Sequence, residues 1–489
     1  MATAVVVGTV IGSGIFQKPQ KVAENIPFTG LAALAWILGG LLVLLGALSY
    51  AEVASLLPRA GGNYDFLREA YGRLAGFLAG WVEFWVIRAA SLAALATLFT
   101  KSLHAVLREV AGPTGGDLLG YWPQRLLTVA VIVGLALVNA RGVRWGGLLQ
   151  LLITVVKVAS LLALIALPFV VAALVLPGSS APAPQVSNLR PVWSPSGSVG
   201  WGMLGSFTTA LLGVLWAYHG WMNIAPVAEE IRHPQRNIPL ALLGGVAILI
   251  ALYLGTNLSY SLILTQGEMS EMKEAAPAAA AEGPPPQDQT VAIGFCRRLL
   301  GPAGVGLAAA MVMCSVFGAL NGNLLVGPRL LYAMGEDGLA PRALAEVHAR
   351  YRTPVLAIMV LAAWAALLVL GAAVLAVVGL LPADKDPFDV LTDFAMFGSV
   401  TFETMAVVSI FVFRRRWPKA ERPYRCWGYP VVPALYVVLP ALILGNMFVH
   451  QRTEALTGVA FVAAGAVVYF LVFRGPAAGE APAELVKEP

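Results

Sequence analysis

Apolar stretches long enough to cross a lipid bilayer follow one another almost end to end along this chain. A helix needs ~20 mostly apolar residues to traverse the hydrocarbon core. Such runs, bounded by glycine, proline and charge, fall at 2–26, 31–57, 74–106, 125–140, 145–176, 199–231, 238–264, 303–335, 354–381, 388–413, 430–450 and 455–473. Backbone polar groups inside a membrane must be bonded within their own segment or in a closed barrel, so runs of this length read as helices. Composition agrees, with 58% of 489 residues hydrophobic and 12% charged, too little polar surface for a soluble fold of this size. The fold class is therefore an all-α membrane protein of about twelve transmembrane helices.

Orientation follows from the basic residues. With a cytoplasmic N-terminus, the inner loops carry Arg59, Arg68, Arg73, Arg141, Arg144, Arg232, Arg236, Arg342, Arg350 and Arg352, then the dense run Arg414, Arg415, Arg416, Lys419, Arg422 and Arg425. With Arg474 and Lys487 of the tail that is about eighteen basic residues inside against about ten outside, as the positive-inside rule expects, and both termini become cytoplasmic. The first residues lack a basic n-region, so they read as the start of the first helix rather than a cleavable signal. Cys296, Cys314 and Cys426 lie far apart on different segments, and no metal site or disulfide framework follows from them. An Ala/Pro-rich stretch, 274–287, reads as an outer-loop insert without a role. The piece at 290–300 is amphipathic and is expected to lie over the outer face.

Two apolar runs contain interruptions that a plain membrane anchor would not need. One is Gly8-Thr9-Val10-Ile11-Gly12-Ser13-Gly14-Ile15-Phe16, the other Trp216-Ala217-Tyr218-His219-Gly220-Trp221. They sit about five helices apart, the spacing of an inverted repeat. The implied organisation is a five-plus-five repeat, 1–176 and 199–413, with helices 1 and 6 broken, two further helices in 430–473 and a cytoplasmic tail at 474–489. An unwound stretch at mid-membrane is tolerable only where its freed backbone groups line a cavity or meet a ligand. A half-helix starting near Ser13-Gly14 turns its positive end toward an anion. A half-helix ending near Trp216 offers free carbonyls to a cation. Together they suit a zwitterion. Gly8 and Gly12 also form a G-x-x-x-G, which by itself serves close helix packing equally well.

These stretches resemble a known family. Gly12-Ser13-Gly14-Ile15-Phe16 is similar to the first-helix signature of the amino acid–polyamine–organocation superfamily. Tyr50-Ala51-Glu52, Leu57-Pro58-Arg59-Ala60-Gly61-Gly62-Asn63-Tyr64, Glu229-Glu230-Ile231-Arg232-His233-Pro234 and Glu421-Arg422-Pro423-Tyr424 resemble its L-type amino acid transporter branch. The eighth helix, from Asn321-Gly322 to Asp337-Gly338-Leu339, fits as well. The resemblance implies a permease for small-molecule amino acids, most simply neutral L-amino acids, working by alternating access without sodium, as exchanger or proton symporter. It puts the substrate carboxylate on the amides of Ser13, Gly14 and Ile15, beside Gly12. It puts the ammonium on carbonyls of Val10, Ile11, Trp216, Ala217 and His219. Trp216 stands where the family has an aromatic gate; otherwise it is an ordinary buried aromatic. His219 and Met222 depart from common relatives and reshape the side-chain pocket. The loop between predicted helices 3 and 4 has no cysteine, so no disulfide-linked heavy subunit is expected.

Ionisable residues within a bundle are costly and tend to be paired or functional. The resemblance puts Lys157 where sodium-coupled relatives bind a cation, between helices 1, 5 and 8. It is either a fixed charge propping helix 1 or a proton carrier. Glu83 and Arg88 are five residues apart and do not share an i,i+4 face, so each is expected to pair with another helix. Glu403 has no evident partner and would tune substrate charge preference, while Glu52 and Glu230 would join an inner ion-pair network. A cationic amino acid or polyamine permease is the alternative, weakened by the lack of a dense acidic cluster at the proposed site. A membrane-embedded enzyme is remote: there is no metal cluster, no G-x-S-x-G, and the five histidines are scattered. No cofactor or nucleic-acid partner is implied. The lipid bilayer, as the plasma (inner) membrane, is the expected surrounding.

Overall fold

The structure, a computed structural model, describes residues 2–111, 119–174, 183–193, 201–272, 290–380, 387–450 and 452–473. The Ala/Pro-rich stretch 274–287 and the tail 474–489 lie outside the described residues. Among those described, every regular element is helical. The chain runs α1 (Ala2–Val10), α2 (Gly14–Asn25), α3 (Thr29–Leu56), α4 (Asn63–Tyr71) and α5 (Arg73–Ala111), then α6 (Tyr121–Ala140), α7 (Val143–Leu174) and α8 (Trp201–Tyr218). A 3₁₀ segment, Trp221–Glu230, leads to α9 (Pro234–Ile263), α10 (Gln266–Glu271), α11 (Val291–Leu300) and α12 (Pro302–Glu336). The last four are α13 (Val355–Val377), α14 (Pro387–Arg416), α15 (Val431–His450) and α16 (Arg452–Val468), the last prolonged by a π turn, Tyr469–Phe473.

Ten of the described helices are long and apolar enough to cross a membrane. The two remaining apolar runs are the ones with internal interruptions, and both fold as broken pieces: α1 with α2, and α8 with the 3₁₀ segment. Length explains the rest. The 28 residues of α3 rise about 42 Å at ~1.5 Å per residue, enough to cross with tilt.

Burial is uneven, and that asymmetry locates the centre. The short α1 packs against α7, α9, α12 and the 3₁₀ segment, and from Val5 onward its residues are buried. By contrast Leu152, Val155 and Leu162 on α7 and Leu456 on α16 are more than half exposed. An apolar side chain left outside a bundle of this kind faces lipid. The amphipathic piece becomes α11, opened by Thr290, whose hydroxyl accepts the Ile293 amide at 3.3 Å. Its apolar face is buried against α2, α9 and α12.

Candidate functional site

The first break follows from what residues 11–13 cannot do. α1 closes with the Ile11 amide donating to Val7 O, and α2 opens with Phe16 and Gln17 both donating to Ser13 O. The amides of Ser13, Gly14 and Ile15 precede those bonds and have no backbone acceptor among the described residues. They form the positive pole of α2. The second break has a stated cause. Gly220 has φ +102°, a left-handed conformation that glycine adopts without steric cost. The chain then continues as ten residues of 3₁₀ helix, where runs beyond three or four are uncommon and often mark a hinge.

These two breaks touch. A Cβ built on Gly14 would lie 2.3 Å from Ala217 Cα, so only glycine lets α2 start this close to the end of α8. Trp216 Nε1 donates to Ser13 Oγ at 3.3 Å, and Thr9 Oγ1 lies 3.2 Å from Gly220 O. Gly8 has a separate duty: a Cβ there would fall 2.1 Å from Thr154 Oγ1, so it serves packing of α1 on α7. Gly12 is not crowded, the nearest approach being 3.4 Å to Ala319 Cβ.

Several of the freed carbonyls already have donors. Lys157 Nζ donates to Gly8 O at 2.7 Å and to Ile11 O at 2.6 Å. Ser315 Oγ is 3.1 Å from both Ile11 O and Gly12 O. Tyr253 OH reaches Ala217 O at 3.0 Å and Val10 O at 3.2 Å, bridging the two breaks. The Trp216 carbonyl accepts the His219 amide. Tyr253 and Ser315 escaped the sequence reading. Their only signal was a hydroxyl inside an apolar run, and their first-helix partners, Val10 and Ile11, lie 243 and 304 residues away.

Side chains extend the site from the breaks toward the side of the arginine-rich loops. The Trp216 and His219 rings stack, 6.0 Å between centroids and 9° apart in plane. His219 Nδ1 is 3.0 Å from Glu403 Oε1, and Ser399 Oγ donates to the same oxygen at 2.7 Å. The Ser399 hydroxyl has one hydrogen, and it is used there. Nδ1 must therefore carry its own hydrogen to sit this close to a carboxylate oxygen. A cavity beside Gly220 is lined by Asn63, Glu83, Arg88, His219, Asn223 and Glu403, among others.

The Glu83 and Arg88 expectation needs correction. The two pair with each other, Arg88 NH2 to Glu83 Oε1 at 2.6 Å. The reason is that Glu83–Arg88 is a π turn inside α5. A π turn closes i to i+5, so residues five apart come onto one face. Arg88 also donates to Asn223 Oδ1 at 2.8 Å and Asn323 Oδ1 at 3.0 Å, tying α5 to the second break and to α12. Glu52 and Glu230 are ion-paired as expected, but in separate clusters. Glu52 holds Arg414 (2.6 Å) and Arg422 (3.1 Å) and accepts the Cys426 amide, whereas Glu230 pairs with Arg329.

On the same side as the arginine-rich loops, α4 closes over the end of α12. Tyr64 OH donates to Asp337 Oδ2 at 2.7 Å, and Arg68 pairs with Asp337. Asp65 accepts the Gly61 amide at 2.9 Å and has Arg68 3.5 Å away. Burial raises the Asp65 carboxyl above its ordinary range, opposed by Arg68, Arg59 and the Gly61 hydrogen bond.

Against known proteins, the sequence profile of the amino acid permease family matches residues 1–473. The serine/threonine exchanger SteT of Bacillus subtilis (strain 168) is 28% identical over 477 residues, covering 96% of this chain and 94% of that protein. The b(0,+)-type amino acid transporter 1 of Homo sapiens is 29% identical over 96% of this chain and 86% of its own length. The Asc-type amino acid transporter 1 of Mus musculus is 28% identical over 96% and 79%.

Proposed function

The chain belongs to the amino acid permease family, and on that premise we propose a secondary transporter that moves neutral L-amino acids by alternating access. Transport is sodium-independent and runs as exchange or proton symport. The observation that carries this reading is the meeting of the two breaks: amides of Ser13, Gly14 and Ile15, without a backbone acceptor among the described residues, against the carbonyl end of α8, joined by Trp216 and Ser13. Two opposite backbone poles that close together fit the two charges of an α-amino acid without a charged side chain.

In this reading the carboxylate docks on Ser13, Gly14 and Ile15 beside Gly12, and the ammonium on carbonyls of Val10, Trp216, Ala217 and His219. Ile11 contributes mainly as an anchor, since its carbonyl already accepts the charged Lys157 ammonium together with Ser315, whereas the carbonyls of Val10, Trp216 and Ala217 accept neutral donors and keep acceptor capacity for a second, charge-assisted bond. Lys157 occupies the place of a coupling cation, and Trp216 closes over the substrate from the outer side. The repeats 1–176 and 199–413 rock about this site, with both termini cytoplasmic in an inner membrane. The chain works without a disulfide-linked heavy subunit, which is supported by the absence of cysteine from 107–124. A cationic substrate is disfavoured because the two carboxylates at the cavity already face basic partners, Arg88 and His219.

Purified protein in liposomes, given labelled amino acids and imposed ion gradients, tests the proposal. Neutral amino acids should enter equally in sodium and choline buffers. Uptake confined to cationic amino acids or polyamines, or uptake stimulated by sodium, would overturn it.

A further inference from the structure

Beyond the two breaks lies a polar cavity that the backbone recognition of a zwitterion does not use. Glu403 stands on its wall, with a side chain 17% exposed. Both of its observed bonds, from Ser399 and from His219, fall on Oε1. Among the described residues Oε2 has no hydrogen-bond partner. The other carboxylate on the wall, Glu83, is held by Arg88. His219 also stacks on Trp216, which bonds Ser13, so the acid is linked through three side chains to the first break. Resting on the transport reading, we propose that Glu403 is the acceptor for a hydrogen-bond donor on the substrate's own side chain. Preferred substrates are then neutral amino acids bearing a hydroxyl or carboxamide, and their apolar isosteres are rejected.

The physical reason is the asymmetry of a partly buried carboxylate. An apolar side chain entering the cavity displaces water from Oε2 and returns nothing, leaving a charged acceptor unsatisfied. A hydroxyl or amide N–H replaces that water with a charge-assisted bond. Oxygen Oε1 is fixed from two sides, so the carboxylate is already oriented when the substrate arrives. A cationic side chain gains less, because His219 already presents its Nδ1–H to the same acid.

The test uses three pairs of similar shape: threonine and valine, asparagine and leucine, glutamine and methionine. Initial uptake of each labelled amino acid is measured with the full-length protein in liposomes. In at least one pair, the one whose length reaches Oε2, the polar member should exceed the apolar one by about tenfold or more, as one charge-assisted bond allows. Glu403→Met should bring that ratio within about threefold, the polar member falling much more than the apolar. Glu403→Gln, which keeps the shape and one acceptor but not the charge, should lower the ratio at least threefold and serves if the methionine variant does not fold. The idea is overturned if all three unmodified pairs stay within threefold, or if the ratio survives in both variants. Failure of every amino acid to enter would instead bring down the transport reading beneath it.

Discussion

Replacing Lys157 with methionine leaves a side chain one atom shorter and removes its charge, and the structure allows the consequence to be sized. Lys157 is 1% exposed, and its ammonium donates to Gly8 O and Ile11 O. Two terms oppose each other. An ammonium buried in a bundle carries a desolvation penalty of about several kcal/mol, which the substitution relieves. Against it stand two hydrogen bonds from a charged donor, about 1.5–3 kcal/mol each. The carbonyls decide the balance. Ile11 O keeps Ser315 at 3.1 Å, but Gly8 O loses its only side-chain donor among the described residues, a cost of about 1–3 kcal/mol. A net loss of about 2 kcal/mol falls on the end of α1, where the proposed carboxylate site begins. If the binding-competent break is populated roughly thirtyfold less, apparent affinity falls by up to the same factor. Substrate binding to purified protein, with exchange and proton-gradient uptake in liposomes, reads this out. A prop predicts that both modes fall together; a proton carrier predicts loss of gradient-driven uptake with exchange preserved. Binding and uptake within twofold of the unmodified protein would refute the reasoning, as would sodium-stimulated uptake by the unmodified protein.

Three further perturbations follow from the geometry. Gly14→Ala should weaken substrate binding by tenfold or more, because its Cβ would lie 2.3 Å from Ala217 Cα and overpacking of this kind costs about 1–3 kcal/mol; unchanged affinity would mean that the breaks need not touch. Trp216→Ala should slow transport more than it weakens binding, since a closing aromatic acts on the conformational step, and equal losses in flux and affinity would argue for simple packing. Glu52→Leu removes the buried carboxylate shared by Arg414, Arg422 and the Cys426 amide, while Arg422 keeps its backbone acceptors; it should destabilise the fold by about 3 kcal/mol, visible as a large drop in the melting temperature of detergent-solubilised protein, and a drop of only a degree or two would contradict this.

Close approach of the two half-helices is why residue 14 is glycine. An added Cβ meets α8 backbone, so the loss of binding would come from prising the half-helices apart. Ser13 is different, since its hydroxyl accepts from Trp216 and a branched side chain would remove that link as well as crowd the amides.

Hydropathy alone determined much of this protein. Length and apolarity of each run dictate a membrane-crossing helix, and Gly12-Ser13-Gly14 and His219-Gly220 dictate where two of them break, because those are local consequences of side-chain transfer and backbone freedom. The π turn was not legible. Residues 83–88 carry no residue type that demands one, and the shift from i+4 to i+5 is repaid only when Arg88 meets Glu83, Asn223 and Asn323. The partner of Glu403 was equally hidden: His219 lies 184 positions away in the chain and reaches it only once α14 packs beside the second break. Tyr253 and Ser315, unremarkable as sequence, became part of the site because each buried hydroxyl had to find an acceptor, and the freed carbonyls of the broken helices were what tertiary packing brought within reach.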